Sequence, residues 1–375
     1  MNIPQDILDI HKRFQKAGKK LFVVGGGVRD HLMGLTPKDF DMATDAMPNE
    51  IEQILYGYDF DFTGKSFGVM RVYTAEAPKG YEIATFRRDI TTGRNPTVEL
   101  GVTIDVDVMR RDLTINALFF DIDEQKIVDL VGGMQDIANR KIKTPGNPKD
   151  RFNEDKLRIL RAIRFAARFD FQFDDLTWNA IEADHKLVGP DKEGNLVPIS
   201  QERIADEFIK GVAQCNVNNY LNILERVNLF EQIFPGIEAN KLYEISSKKP
   251  EVVIAALFHD ADRSQLWHQL VYVCHFPIKM SNGIIFLLML QELNSENAYR
   301  FKRIMDKNDF SPDDILEYAE LSSIANNFIK AFCQYEIKTT GEDLMKEGYT
   351  EGIELGNELK RRERAIFEEL LKIKP

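Results

Sequence analysis

Two carboxylates separated by one residue, Asp39-Phe40-Asp41, are the first groups in this sequence able to do chemistry. On a strand, residues i and i+2 face the same side, so both acids project together while Phe40 turns toward a core. Neighbouring carboxylates repel unless a divalent cation lies between them. Hard oxygen ligands that leave room for phosphate oxygens are what Mg²⁺ prefers. Such a pair suits two-metal phosphoryl transfer, one ion activating a hydroxyl and the other holding a triphosphate. Upstream, Leu21-Phe22-Val23-Val24 followed by Gly25-Gly26-Gly27-Val28-Arg29-Asp30 reads as strand, glycine turn and helix start, whose N–H groups favour an anion. It is not a dinucleotide fingerprint, since Asp30 stands at the third glycine position. Nor is Gly64-Lys65-Ser66 a P-loop, since Asp59 replaces its first glycine.

Positioning these groups takes a mixed scaffold. From about Leu21 to Asp129 short β-like runs (Leu21–Val24, Phe40–Ala43, Val69–Tyr73, Tyr81–Phe86, Phe119–Asp121) alternate with helical patterns. From Arg151 onward the apolar spacing is mostly i, i+3, i+4, which predicts helices. Gly and Pro cluster at Thr144–Pro148 and Val188–Pro198 and mark breaks. The 375 residues suffice for two or three domains, and 43% hydrophobic with 29% charged residues excludes a wholly disordered chain. A net charge of −11 excludes a uniformly basic coat, yet residues 140–170 hold ten basic side chains against four acidic ones, a local field suited to triphosphate or RNA. The three cysteines, Cys215, Cys274 and Cys333, have no CxxC spacing. The N-terminus lacks an apolar signal core, and the longest apolar run, Ile284–Leu290, is far short of the roughly 20 residues that span a bilayer. These features predict a protein of the reducing cytoplasm, without a membrane and without an evident obligate protein partner.

The run Gly25-Gly26-x-Val28-Arg29-Asp30 with Asp39-x-Asp41 resembles the signature of class II tRNA nucleotidyltransferases and bacterial poly(A) polymerases, within the DNA polymerase β-like nucleotidyltransferase superfamily. The resemblance implies Asp39 and Asp41 as Mg²⁺ ligands, Glu82 in Tyr81–Arg87 as a third carboxylate, and Gly26, Gly27 and Arg29 as nucleotide contacts. Arg110-Arg111-Asp112-Leu113-Thr114-Ile115-Asn116-Ala117 matches the family's RRDxTxNA motif. That match implies ribose and triphosphate contacts for Arg111, Asp112 and Asn116, with guanidinium forks on phosphate oxygens and a carboxylate for the ribose 2′-OH.

Arg151–Phe165 resembles the EDxxRxxRAxRF motif. Asp155 and Arg158, spaced i, i+3, are expected to share a helix face. A carboxylate that only accepts beside a guanidinium that only donates satisfies cytosine and adenine and leaves uracil and guanine mismatched, at about 1–3 kcal/mol for each unpaired group. Arg161 and Arg164 continue at i+3 spacing and border the same pocket. Ile199–Ile204 resembles the next family motif, with Ser200 expected as a helix cap and Glu202 and Arg203 as supports of the neck helix. The His259-Asp260 doublet resembles that of metal phosphohydrolases, but no histidine between His185 and His259 supplies an upstream ligand, so a packed helical histidine is expected. Thr339–Met345 and the glycines to Gly356 resemble the tail of tRNA nucleotidyltransferases, where Lys360, Arg361, Arg362 and Arg364 could meet the tRNA backbone. Relatives often carry a doubled arginine before proline where this chain has Gly93-Arg94-Asn95-Pro96, in a loop implicated in switching from C to A addition.

The expected fold class is α+β: an N-terminal nucleotidyltransferase head with a small mixed sheet (1–143), then an elongated all-helical neck for base recognition (144–212), body (213–330) and tRNA-binding tail (331–375). The implied activity is template-independent addition of C, C and A to the tRNA 3′ end from CTP and ATP, with pyrophosphate release. The alternatives are a poly(A) polymerase of the same fold and an enzyme that adds only CC.

Overall fold

The computed structural model describes residues 1–64, 67–92, 96–190, 195–240, 247 and 249–372, so Arg94 and its two neighbours lie outside the described residues. The chain divides into two compact units, Met1–Ser200 with Ile223–Leu229, and Gln201–Asn222 with Phe230–Pro375.

The first unit opens with helix α1 (Gln5–Lys16) and strand β1 (Leu21–Val24), then α2 (Gly26–Leu32), β2 (Asp41–Thr44), α3 (Pro48–Ile54), β3 (Asp59–Gly64), β4 (Val69–Tyr73) and β5 (Tyr81–Thr85). A hairpin of β6 (Arg87–Asp89) and β7 (Val98–Leu100) leads to α4 (Ile104–Met109), β8 (Phe119–Asp121), β9 (Lys126–Val128) and α5 (Gly133–Ala138). Seven strands form one mixed sheet in the order β3-β4-β5-β2-β1-β8-β9, with β2 and β5 parallel and the other pairs antiparallel.

The unbroken apolar run of β1 reflects burial of both sheet faces. Leu21 and Val23 pack with Met42, Ile83 and the α1 residues Ile7, Ile10 and Phe14 on one side. Phe22 and Val24 pack with Ala43, Val108 and Phe119 on the other. Period-two alternation therefore puts Asp41, one residue before Met42, and Glu82, one residue before Ile83, on the same face as Val24.

Helices α6 (Pro148–Glu154) and α7 (Leu157–Phe169) belong to the first unit too. Ala162, Phe165 and Ala166 of α7 share a core with Leu113, Ile115 and Ile142. The expected all-helical neck contains short strands. Lys141–Ile142 pairs in parallel with Gln172–Phe173, and the break around 188–198 is a strand pair, Val188–Pro190 with Leu196–Pro198. The backbone N–H and C=O groups of these extended stretches find partners in each other.

The second unit is built from helices, among them Pro250–Leu257, Ile278–Met289 and Pro312–Leu321. Its interior is aromatic, with Phe234 packed edge-on against Phe208 at 4.9 Å, near Phe258 at 5.0 Å and stacked on Phe276 at 5.8 Å. Among the described residues no helix is long and apolar enough to cross a membrane.

One anchor in the head was not anticipated. The Asp129 carboxylate accepts from the backbone N–H groups of Val131 (3.1 Å), Gly132 (2.8 Å), Gly133 (3.0 Å) and Met134 (2.9 Å), which seats the start of α5. Asp136 of α5 then accepts from the Thr114 hydroxyl at 2.6 Å, fixing the segment that carries Asp112 and Asn116. Asp129→Ala is expected to lower stability by about 1–2 kcal/mol, as loss of a strong helix cap does, read as a fall in the denaturation midpoint.

Candidate functional site

The register Val24↔Asp41 sets the glycine turn beside the acids. Gly25 has φ +70°, a conformation that L side chains rarely adopt, and its N–H donates to Leu118 O at 3.0 Å. A Cβ on Gly27 would lie 2.9 Å from the Asp39 carbonyl oxygen, so glycine is what lets α2 approach the segment bearing the acids. Asp39 precedes β2 and Asp41 begins it, while Phe40 packs against the core, as the i, i+2 pattern predicts.

Neither Asp39 nor Asp41 has a hydrogen-bond or ion-pair partner among the described residues. Asp41 is solvent-accessible yet crowded by protein. Desolvation first, then the like charges of Glu82 and Asp39, push its carboxyl up to about 6, with Arg111 pulling the other way. Two unpartnered carboxylates side by side form a donor pair that fits a hard divalent cation. Glu82 is engaged elsewhere, its Oε1 accepting from Arg71 Nη2 at 2.5 Å across the β4–β5 pair. Among the described residues no three His, Cys, Asp or Glu side chains group closely enough to hold a metal, so the expected triad with Glu82 is not assembled.

The RRDxTxNA segment is tied into both the head and α7. Asp112 accepts from Arg161 Nε (2.8 Å) and Nη2 (2.6 Å), from Asn116 Nδ2 (3.2 Å) and from Leu113 N (2.8 Å). Burial opposes its ionisation, but the charge and hydrogen bonds of Arg161, with those of Asn116 and Leu113, bring its carboxyl down to about 2. Asn116 Oδ1 accepts from Arg29 Nη1. Arg29, expected as a nucleotide contact, is only 4% exposed; it pairs with Asp30 and lies over the Phe165 and Phe169 rings at 5.0 and 4.9 Å. Its guanidinium is spent on internal partners because they, and not solvent, surround it. Arg111 lies over Phe119 at 4.6 Å and donates to Asp107, a buried carboxylate that the sequence reading passed over. Burial of Asp107 is outweighed by Arg111 and Arg110, which hold its carboxyl below the usual range. An acid three and four residues before a pair of arginines that follow a short helix was the available signal.

The neck departs from expectation. Asp155 does not share a helix with Arg158. It ends α6 with an extended backbone (φ −153°, ψ 105°) and accepts from Leu157 N at 3.1 Å, while Arg158 lies in the first turn of α7. Arg158 is buried and donates to Glu154 Oε2 (2.6 Å), Arg151 O (3.1 Å) and Arg110 O (2.8 Å). The helix breaks where Asp155 turns its backbone out into an extended conformation. Arg164 is buried with its guanidinium 4.3 Å from the Phe165 ring. Gly26 lies next to Arg29, 3.5 Å from its Nη2 by the position of a built Cβ.

Among the described residues the Ser200 hydroxyl has no hydrogen-bond partner, so the expected cap is not formed there. Glu202 meets His275 Nδ1 at 2.8 Å within the second unit. His259 is half-buried but not helical as expected: it lies in the turn just past the helix Pro250–Leu257, its Nδ1 3.1 Å from the Tyr318 hydroxyl and 3.2 Å from Gln291 Nε2. In the tail, Lys360 is exposed, but Arg361 pairs with Glu358, Arg362 with Glu347 and Glu358, and Arg364 with Glu296 and Glu368. The expected basic edge is therefore largely neutralised by acids one helical turn away and on neighbouring segments.

Comparison with known proteins follows this geometry. Residues 21–143 match the family model described as poly A polymerase head domain, and residues 170–241 match the probable RNA and SrmB-binding site of polymerase A. A CCA-adding enzyme of Lactococcus lactis is 32% identical over 95% of this chain and 94% of its own length. One of Ligilactobacillus salivarius is 41% identical over 56% of this chain, a match that spans half of that protein. The solved CCA-adding enzyme of Bacillus stearothermophilus in complex with CTP shares the fold, with a TM-score of 0.65 at 23% identity over 98% of this chain and 94% of that one.

The depressed Asp112 carboxyl has a measurable consequence. It contributes stability above its unfolded pKa of about 4, and that contribution is lost as pH falls toward about 2. Arg161→Met removes the largest opposition to burial and leaves only the hydrogen bonds from Asn116 and Leu113, so the Asp112 midpoint is expected to rise. Stability at neutral pH should fall by on the order of 1–2 kcal/mol, and the acid limb of the stability–pH curve should shift upward. Carboxyl titration by NMR and denaturation at a series of pH values check both.

Proposed function

This chain belongs to the nucleotidyltransferase family of CCA-adding enzymes and bacterial poly(A) polymerases, and we propose that it adds C, C and A to the 3′ end of tRNA from CTP and ATP, releasing pyrophosphate. The observation that carries the proposal is the unpartnered Asp39–Asp41 pair beside the glycine turn, in the same compact unit as the segments bearing Asp112 and Arg158.

Members of this family generally use a divalent metal; here Asp39 and Asp41 would hold Mg²⁺, which when bound supplies activation of the tRNA 3′-hydroxyl and charge neutralisation at the triphosphate. The turn at Gly25–Gly27 offers backbone N–H groups to phosphate oxygens, and Arg111 offers a guanidinium beside them. Asp112, held ionised by Arg161, orients a ribose hydroxyl. Asp155 and Arg158 read the base edge by acceptor and donor polarity. In this role Arg158 exchanges a partner at Glu154 or Arg151 for the base, and Arg164 borders the pocket from α7. Arg29 and Asn116 act at one remove, by fixing Asp112. We place the head at 1–143, the base-reading neck at 144–212, the body at 213–330 and a tRNA-binding tail at 331–375, in a protein of the cytoplasm with free Cys215, Cys274 and Cys333.

The test is mass analysis of tRNA lacking its 3′ end after incubation with all four nucleotides. A CCA product supports the proposal. A long A tract identifies a poly(A) polymerase, an arrest at CC identifies the narrower enzyme, and UMP or GMP incorporated as readily as CMP defeats the base-reading assignment. Asp41→Ala is expected to reduce turnover by about a thousandfold or more, the loss of several kcal/mol of metal-dependent stabilisation. Its circular dichroism and tRNA affinity should remain those of the parent.

A further inference from the structure

Asp107 is 1% exposed within α4 and gathers three donors that otherwise have no common partner. Its Oδ2 accepts from Arg111 Nε at 3.2 Å and Nη2 at 3.0 Å. Its Oδ1 accepts from Arg110 Nε at 2.9 Å and Nη2 at 2.8 Å, and from the backbone N–H of Arg87 at 3.1 Å, the first residue of β6. The Phe119 ring supports the Arg111 guanidinium from one face. With one edge taken by the carboxylate and one face by the ring, the guanidinium plane has a single setting. Its remaining nitrogen, Nη1, has no acceptor among the described residues and points at the glycine turn, 3.8 Å from where a Cβ on Gly25 would stand.

We propose that Asp107 is a positioning residue for the triphosphate. It grips Arg111 by the Nε–Nη2 edge so that Nη1 is presented at the glycine turn, and through Arg87 it ties the β6–β7 hairpin to the same arginine. This rests on the reading of the glycine turn as the phosphate site. One carboxylate between two arginines also leaves one net positive charge for the ligand, enough to attract phosphate without two like cations repelling each other. An amide at this position keeps the size but sets an NH₂ against a guanidinium that can only donate, so one arginine loses its hold.

The experiment compares Asp107→Asn with the parent full-length chain. The expected result is about a tenfold rise in KM for CTP and ATP and about a tenfold weaker inhibition by inorganic tripolyphosphate, the scale of one charge-assisted hydrogen bond. kcat should stay within about twofold and the preference for C and A over U unchanged, since base reading does not pass through Arg111. Unchanged tripolyphosphate inhibition overturns the proposal. So does a loss in kcat and base preference as large as that in KM, which marks a general structural role. Should the amide variant not fold, Asp107→Glu keeps the charge while moving it by one methylene. It is expected to show the same selective loss of phosphate affinity at smaller size, and an unselective loss counts against the proposal equally. Failure of the underlying reading looks different, because the parent chain itself would then neither incorporate CMP nor be inhibited by tripolyphosphate.

Discussion

Asn116 accepts a hydrogen bond from Arg29 and donates one to Asp112, and those partners leave its amide a single orientation, because a guanidinium only donates and a carboxylate only accepts. Extended outward, the chain of contacts runs Asp30, Arg29, Asn116, Asp112, Arg161, an ion pair at each end joined through the neutral amide and mostly shielded from water. It begins on the helix that follows the glycine turn and ends on α7. The head and the base-reading helix are thereby referenced to one another through buried polar contacts, which are costly to break once any one partner is removed. The apolar contacts of Leu113 and Ile115 with Ala162 and Phe165 run alongside and exclude water from the network.

Against this satisfied network the Asp39–Asp41 pair stands out for what it lacks. The enclosed acids Asp107, Asp112 and Asp129 each have a cation or several N–H donors. Asp41 is desolvated by the surrounding protein and faces the like charges of Glu82 and Asp39 with only Arg111 to moderate them; burial first and those charges second raise its carboxyl. Leaving the Asp39–Asp41 pair open beside such paired acids concentrates negative potential at one spot on the sheet face, where an added cation gains most. Gly27 contributes through close approach, since any side chain there would displace the Asp39 backbone.

Much of the head was legible because its signals are local. The β1 run reads as a strand buried on both faces, and the Asp39-Phe40-Asp41 alternation reads as two exposed acids over an inward phenylalanine, both consequences of a period of two. β3 was not foreseen, since Asp59-Phe60-Asp61-Phe62 carries charges that argue against a buried strand and suit the sheet edge it occupies. The β6–β7 hairpin and the pairing of Val188–Pro190 with Leu196–Pro198 were missed for a related reason, as short strands are stabilised by partners distant in sequence or across a loop. Asp107 and Asp129 were overlooked because their value lies in how many donors converge on them, and convergence is a property of three dimensions.

Composition and spacing alone determined the residue types that matter: acids two apart after a glycine turn, an RRDxTxNA run, an acid and arginine near a basic helix, and an apolar pattern that changes from sheet to helix period near residue 150. Tertiary structure decided how each is employed. It turned Arg29 from a ligand contact into an internal tie, directed Glu82 to Arg71, ended a helix at Asp155 and anchored Arg158 on the carbonyl of Arg110. The physical reason is that a charged side chain goes to whichever opposite charge or dipole the fold brings within about 3 Å, and desolvation makes that choice binding.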